Sequence, residues 1–275
     1  MCVDKRYRVW YNIKVYVVLC LFISFLLKGE GECMHFYFDI HCHMLCGVDD
    51  GAKSAHEMCA MLDMAYKDGM RAICLTPHYS PYLFGNTFEA SERSFAQLCR
   101  YAREKYPDLY LYIGHELGYY GGCLEALVSG ECRTLAGSRY VLVDFPENAG
   151  FFEIDNAMNQ LMQAGYIPIL AHTERYRELF GKLDWIESFV MQGGKIQLNA
   201  ASATGVIGAG AKRQWRAIVK NGLAHLIATD GHNMTSRLPK IPPACIRYLE
   251  RHCDAEYIRD LLWNNACRII NDESF

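Results

Sequence analysis

The sequence predicts an α/β fold in which parallel strands alternate with helical crossovers. Three observations carry that expectation. Short apolar runs rich in β-branched and aromatic residues recur about seven times, stretches with helical spacing of apolar residues separate them, and neither a fixed-length repeat nor a low-complexity linker interrupts the alternation. Such a chain either closes into a barrel or stays an open, doubly wound sheet, and the rhythm alone leaves both available. At 275 residues, 51% hydrophobic and 21% charged, it is long enough to bury one large core.

The elements follow in order. Phe36–Ile40 reads as a buried strand that ends in His41-Cys42-His43 and a turn, Gly47-Val48-Asp49-Asp50-Gly51. Ser54-Ala-His-Glu57 has the pattern of a capping box, and Met58, Met61, Leu62 and Ala65 then repeat at helical spacing until Gly69. Met58, Met61, Met64 and Met70 read as core. Ala72–Thr76 is a second strand, ending in Pro77-His78-Tyr79, and a helix over 88–105 precedes Pro107. Further strands are expected at Leu109–Ile113, Tyr140–Val143, Ile167–Ala171, Lys195–Leu198 and His225–Thr229, with helices near 153–164, 184–191 and 212–220 between the later ones. From Pro243 on, the pattern is two or three short helices without a strand.

Composition removes some function classes. The 28 basic and 31 acidic residues give a formal charge of -3 with no basic stripe, so an electrostatic nucleic-acid interface is not expected. Thirteen cysteines without a repeated spacing, several inside apolar patterns (Cys59, Cys74, Cys99), suit reduced core residues of a cytoplasmic protein better than a disulfide framework. Residues 1–33 stand apart. The apolar run Val15–Leu27 follows Lys5, Arg6, Arg8 and Lys14 in the charge order of a signal peptide, yet it is short for a membrane span and no small-residue cleavage site follows. We expect an N-terminal apolar extension, or an over-extended translation start with the true one at Met34, ahead of a single domain over 34–275.

The strand ends carry the chemistry. Side chains two apart on a strand share a side, so His41 and His43 can reach one cation. Every strand except the one ending at Asn199 finishes in a metal-type ligand: His41 and His43, His78, Glu116, Asp144, His172, then Asp230 and His232. Each has a bland alternative singly, as a cap or a satisfied core histidine. At the common mouth of a parallel barrel they would instead form a costly cluster of buried polar groups unless cations bound them. Mixed imidazole and carboxylate without thiolate favours Mn²⁺, Fe²⁺ or Zn²⁺, with Mg²⁺ also possible, and so many ligands imply two or three ions. Ions sharing carboxylates activate a water near neutral pH and clamp both oxygens of an in-line displacement, which suits phosphoester hydrolysis.

The motifs DIHCH (39–43), GVDDG (47–51), TPHY (76–79), GHEL (114–117), AHTERY (171–176) and ATDGHN (228–233) resemble the PHP (polymerase and histidinol phosphatase) superfamily, and most of all its bacterial manganese-dependent protein-tyrosine phosphatases from capsule and exopolysaccharide loci. The resemblance spans about residues 35–270. It implies a distorted, TIM-like (β/α)7 barrel with a three-metal site at the C-terminal ends of the strands. It also implies, as partner, the phosphotyrosine tail of an autophosphorylating tyrosine kinase in a cytoplasmic setting. Residue by residue, His41, His43, Glu116 and Asp230 would hold a first ion; Glu116 would bridge to a second, held also by Asp144 and His172; Asp50, His78 and His232 would hold the third. Arg175 would bind phosphate, a task its forked guanidinium suits, and His78 or His232 would give a leaving phenol any proton help it needs.

Two positions depart from the pattern. Glu is usual where Asp144 stands, with Glu147 as a second candidate ligand, and Pro is usual at Thr173. Spacing does not decide between Asp49 and Asp50. A Cys-based phosphatase loop is not evident, since Cys42 lies between two candidate ligands. Tyr79, Tyr82, Phe84 and Phe88 form a possible substrate lip, and Gly205–Gly210 reads as a rim rather than a phosphate loop. The competing expectations are a phosphatase of a small phosphomonoester such as histidinol phosphate, and a weakly catalytic binder of a phosphorylated kinase tail.

Overall fold

The computed structural model describes residues 36–85, 88–146 and 148–275, within a compact unit spanning Phe36–Phe275. The extension expected over 1–33, its apolar run, and Glu147 lie outside the described residues.

Nine strand segments form the interior: β1 (Tyr37–Cys42), β2 (Met70–Leu75), β3 (His78–Tyr79), β4 (Tyr110–Ile113), β5 (Glu116–Gly118), β6 (Tyr140–Asp144), β7 (Ile167–Leu170), β8 (Lys195–Asn199) and β9 (Leu226–Ala228). Their ladders run β1-β2-β4 and β3-β5-β6-β7-β8-β9, and every pair is parallel. β2 and β3 are two halves of one strand interrupted at Thr76-Pro77, where proline removes a ladder donor. β4 and β5 are likewise interrupted at Gly114-His115. Bonds from Gly114 N–H to the Leu75 carbonyl (2.9 Å) and from Glu116 N–H to the Pro77 carbonyl (3.1 Å) carry the pairing across both breaks. Nine segments thus make seven strands, as expected from the sequence.

The sheet curls until its last strand meets its first, and that seam is unlike the rest. It is held at the C-terminal ends by Asp230 N–H to the His41 carbonyl (2.9 Å), by His43 N–H to the Gly231 carbonyl (2.8 Å) and by the isolated Cys42–Gly231 bridge. Below them the buried Asp39 carboxylate accepts the Thr229 N–H (3.0 Å) and, at short range, the Thr229 hydroxyl. Burial lifts the Asp39 pKa to about 6 against the lowering effect of those bonds.

Helices cover the outside. α1 (Ala55–Lys67) starts where the capping box predicts: Ser54 Oγ accepts the Glu57 N–H (3.1 Å), while the Glu57 carboxylate reaches back to the Lys53 N–H (2.9 Å). It buries Met58, Met61, Leu62 and Ala65. Met64 is only half-buried, and Met70 is buried as the first residue of β2 rather than on the helix. A four-residue turn, α2 (Pro81–Phe84), precedes α3 (Phe88–Lys105). α4 (Cys123–Ser129), α5 (Phe151–Gln163), α6 (Leu183–Met191) and α7 (Ala209–Lys220) follow, and Pro243–His252, Ala255–Arg259 and Asn265–Ile270 form the final layer as α8, α9 and α10. Neither α2 nor α4 was evident from periodicity, both being too short for a full amphipathic repeat. The cysteines of the described residues are all free, most of them buried. Among the described residues no helix is long and apolar enough to cross a membrane.

Candidate metal centre

The parallel ladder brings the predicted strand ends to one mouth. His41 and His43 end β1, His78 opens β3, Glu116 opens β5, Asp144 ends β6, His172 follows β7, and Asp230 and His232 follow β9. Glu116 is the hub. Its Oε2 lies 3.2 Å from His41 Nε2, 3.1 Å from His43 Nε2 and 3.0 Å from His78 Nδ1, and its Oε1 lies 2.9 Å from His172 Nε2. Asp230 Oδ1 stands 3.5 Å from His41 Nε2 and 3.6 Å from His43 Nε2. Asp144 Oδ1 is 3.5 Å from His172 Nε2. Asp50 Oδ1 is 3.3 Å from His232 Nε2 and 3.5 Å from His78 Nε2.

Among the described residues, three overlapping groups have ligand atoms within 4.8 Å of one another: His41, His43 and Glu116; His78, Glu116 and Asp144; and His43, Asp50, His78 and His232. Glu116 stands in two of them, as the resemblance implies, and the sharing extends to His43 and His78, which each also stand in two.

The backbone is bent to make this possible. His172 (φ 30°) and Asp230 (φ 51°) adopt left-handed conformations that L-residues with a side chain seldom take. Both sit where a strand turns into its loop, so the strain aims the side chain back over the mouth. In the first loop the constraint is steric: a Cβ on Gly51 would lie 1.8 Å from the His43 carbonyl oxygen, so only glycine lets the loop close against β1.

The ambiguity between neighbouring aspartates has a geometric answer. Asp49 is buried behind His43: its Oδ2 accepts from His43 Nδ1 (2.8 Å) and from the His78 N–H (2.9 Å), and its Oδ1 accepts the Gly51 N–H (2.9 Å). Asp50, 46% exposed, faces the cluster. His43 therefore carries its proton on Nδ1 and turns an Nε2 lone pair inward. His232 does the same, since its Nδ1 donates to the Asp230 carbonyl (2.9 Å).

These protonation states test whether cations fit. His41 Nε2 and His43 Nε2 approach within 3.0 Å, and Glu116 Oε2 and His232 Nε2 are buried without a hydrogen-bond partner. Such a convergence of acceptors is the environment a divalent ion satisfies. Protein charge alone says the same. Burial opposes a proton on His41 and His78, yet Glu116, with Asp230 and Asp49 respectively, lifts them to about 9 and about 10. Burial and the neighbouring His43 instead lower His232 to about 4. Asp50, Glu116 and Asp230 are held below the usual carboxylate range, against their burial, chiefly by the surrounding histidines. Asp144 is raised, by burial and then by Glu116.

Arg175 lies on the single turn Thr173–Arg175 after β7, with Nη1 3.5 Å from Asp230 Oδ2. Sequence reasoning missed Arg237, whose Nη2 donates to Asp230 Oδ1 (2.7 Å) and whose Nη1 is 3.6 Å from Asp50 Oδ2. The signal for it was Asn233, whose side-chain oxygen accepts the N–H groups of Thr235 (3.0 Å), Ser236 (2.8 Å) and Arg237 (3.2 Å) and so folds the loop back on Asp230. Also missed were Tyr176, which donates to Asp144 Oδ1 (3.0 Å), and Gln197 and Asn199 on β8. Thr173, where proline is usual, spends its hydroxyl on the Leu170 carbonyl (2.9 Å).

The aromatic lip divides. Tyr79 is buried, with its hydroxyl on Glu131 (3.2 Å), and belongs to the core rather than the lip. Phe84 stacks on the His78 ring (centroids 5.3 Å apart, planes at 7°), Tyr82 is 82% exposed and edge-on to Tyr120, and Phe88 lies under Arg133. His115, next to Glu116 in sequence, points the opposite way, accepts the Arg133 N–H (2.9 Å) and is lowered to about 3 by burial and Arg133.

Residues 37–271 match the family model for capsular polysaccharide synthesis, CpsB/CapC. The chain belongs to this family. It is 30% identical over 240 residues to the tyrosine-protein phosphatase CpsB of Streptococcus pneumoniae, covering 86% of this chain and 98% of that one. It is 31% identical over 200 residues to the tyrosine-protein phosphatase YwqE of Bacillus subtilis, covering 72% and 78%. Among solved structures it superposes, with a TM-score of 0.78 and 27% identity over 86% of this chain and 96% of the other, on a structure described with YwqE and CpsB as unique metal-dependent tyrosine phosphatases. A phosphotriesterase homology protein from Escherichia coli shares the fold at 10% identity (TM-score 0.56, 87% of this chain and all of the other). These likenesses agree with the (β/α)7 barrel traced above.

Proposed function

We propose that this CpsB/CapC-family chain is a metal-dependent protein-tyrosine phosphatase acting on the phosphotyrosine tail of a bacterial tyrosine autokinase that governs capsule or exopolysaccharide synthesis. The observation that carries the reading is the convergence of His41, His43, His78, His172 and His232 with Asp50, Glu116, Asp144 and Asp230 beneath two arginines. His41, His43, Glu116 and Asp230 would hold one ion, Glu116, Asp144 and His172 a second, and Asp50, His78 and His232 a third, with Mn²⁺ the preferred metal on the donor set. When bound, such ions supply an activated water and charge neutralisation at phosphorus.

The chain's own groups supply the rest. Arg175 and Arg237 are both tethered by Asp230, so their guanidinium forks are held over the mouth, where two equatorial phosphoryl oxygens would meet them. Phe84, stacked on His78, gives a phenyl ring a flat apolar wall beside the cluster. A phenol with a pKa of about 10 leaves with modest proton help, which His78 would give where it is not committed to an ion; His232, neutral and with its Nε2 unprotonated, suits the ligand role instead.

The test is phosphate release by the full chain, stripped of metal and then supplied with Mn²⁺, from a phosphotyrosine peptide, a phosphoserine peptide and histidinol phosphate. Mn²⁺-dependent release confined to phosphotyrosine is expected. Release from histidinol phosphate alone would retain the metal centre and remove the kinase tail as substrate; no release from any of the three would favour a binding protein.

A further inference from the structure

β8 is the strand whose end carries neither imidazole nor carboxylate, and its two amide side chains, Gln197 and Asn199, are nonetheless completely or almost completely buried. Gln197 Oε1 lies 2.8 Å from the His172 backbone N–H and 3.1 Å from His41 Nδ1. A backbone N–H only donates, so the glutamine atom facing it is the oxygen and not the amide nitrogen. That oxygen cannot donate to His41, so His41 must carry a proton on Nδ1. The glutamine's NH2 is thereby turned to Asn199 Oδ1 (2.9 Å), which leaves the Asn199 NH2 to donate to Asp230 Oδ2 (2.8 Å). One backbone N–H thus orients a run of four side chains with no free choice along it. The Asn199 N–H bonds Glu174 Oε1 (3.1 Å), which also accepts from Ser202 (2.6 Å) and fixes the strand end.

We propose that Gln197 and Asn199 are positioning residues for the metal centre: Gln197 makes His41 offer an unprotonated Nε2 to a divalent cation, and Asn199 holds Asp230 at the angle that leaves Oδ1 facing His41 and His43. The proposal rests on the reading that the cluster holds cations and is independent of the substrate assigned to it. Partners behind metal-binding side chains contribute about 10- to 100-fold in metal affinity when removed, and the same range is expected here.

The experiment is competition of Mn²⁺ and Zn²⁺ between a chromogenic chelator and the full chain, in wild type, Gln197→Met, Gln197→Glu and Asn199→Ala, with thermal melting of the metal-free proteins alongside. Methionine keeps the volume and loses the acceptor; glutamate keeps the acceptor for His41 and His172 but loses the donor to Asn199. Gln197→Met is expected to weaken cation binding about 10- to 100-fold, Gln197→Glu, which keeps only the His41 end of the run, to recover part of it, and Asn199→Ala to weaken it less than Gln197→Met. In the Zn²⁺-loaded wild type, ¹⁵N-histidine spectra should show a directly bonded proton on His41 Nδ1. Gln197→Met binding as tightly as wild type, Gln197→Glu as weak as Gln197→Met, or a Zn²⁺-loaded His41 protonated on Nε2 would each overturn the proposal. If Gln197→Met does not fold, the wild-type His41 spectrum and Asn199→Ala still decide it. A wild type that binds neither ion overturns it together with the metal centre, whereas one that binds them and spares phosphotyrosine removes only the substrate.

Discussion

His41 stands at the barrel mouth near the end of β1, His225 stands at the start of β9 beside the start of β8, and burial has opposite outcomes for them. At the mouth, Glu116 and Asp230 outweigh the burial of His41 and raise it to about 9. At the floor, His225 meets Lys195 instead, and burial together with that lysine lowers it to about 3. Its neutral Nδ1 accepts the Ile196 N–H (3.3 Å) and helps hold β9 to β8. A buried imidazole is thus a ligand candidate only where carboxylates converge on it; elsewhere it is a structural acceptor.

The largest expected effect comes from removing that difference at the mouth. Glu116→Gln keeps the shape and deletes the charge shared by His41, His43, His78 and His172. Loss of Mn²⁺-dependent phosphate release by more than about 100-fold, beyond what an outer partner contributes, is expected, with metal content by atomic absorption falling in parallel. Undiminished metal content would show that the imidazoles suffice without their carboxylate.

Next is Asp144, at the partly exposed rim, where the comparison is less extreme. Asp144→Asn should reduce turnover by on the order of 10-fold, and Asp144→Glu should retain or raise it. If only the glutamate variant turned over substrate, the wild-type chain would be better described as a phosphotyrosine binder.

At the floor the expected effect is on stability and its pH dependence. The folded-state pKa of His225 lies below its unfolded value of about 6.5, so its contribution is fully present above that pH and is lost as pH falls toward about 3. Between pH 6.5 and 5 this amounts to about 2 kcal/mol. Urea unfolding of His225→Gln, which keeps an acceptor for Ile196, should show a pH slope flatter by that amount; an unchanged slope would place the proton elsewhere. The smallest effect is expected outside both regions. Leu83→Ser, on an exposed turn, should change stability by less than about 0.5 kcal/mol in the same measurement.

Much of this was legible in the sequence, and the reasons differ by element. α3 runs over Phe88–Lys105, the span that periodicity and Pro107 predict, because a long amphipathic stretch has only one face to bury. The strand ends were legible because a parallel fold turns many distant motifs into one edge. Gln197, Asn199 and Tyr176 were not, because they act through hydrogen bonds to groups far away in the chain, and no local spacing encodes that. Arg237 was hidden for the same reason, since Asp230 is reached only after the loop folds back. Tyr79 was misread because it follows His78 directly on β3, and successive strand side chains point to opposite faces.

The seam also sets a condition on biosynthesis. Asp39 and Thr229 are 190 residues apart, and the bonds that join β1 to the loop after β9 bring His41 and His43 to Asp230 and His232. Contacts of such separation form late, after the loop entropy of nearly the whole domain has been overcome. A ribosome-bound chain released only as far as β8 would already hold most of its core while lacking both carboxylate and imidazole from the final loop. Catalytic competence therefore arrives with β9 and the loop after it, so a product terminated before them would be inert rather than an unregulated phosphatase.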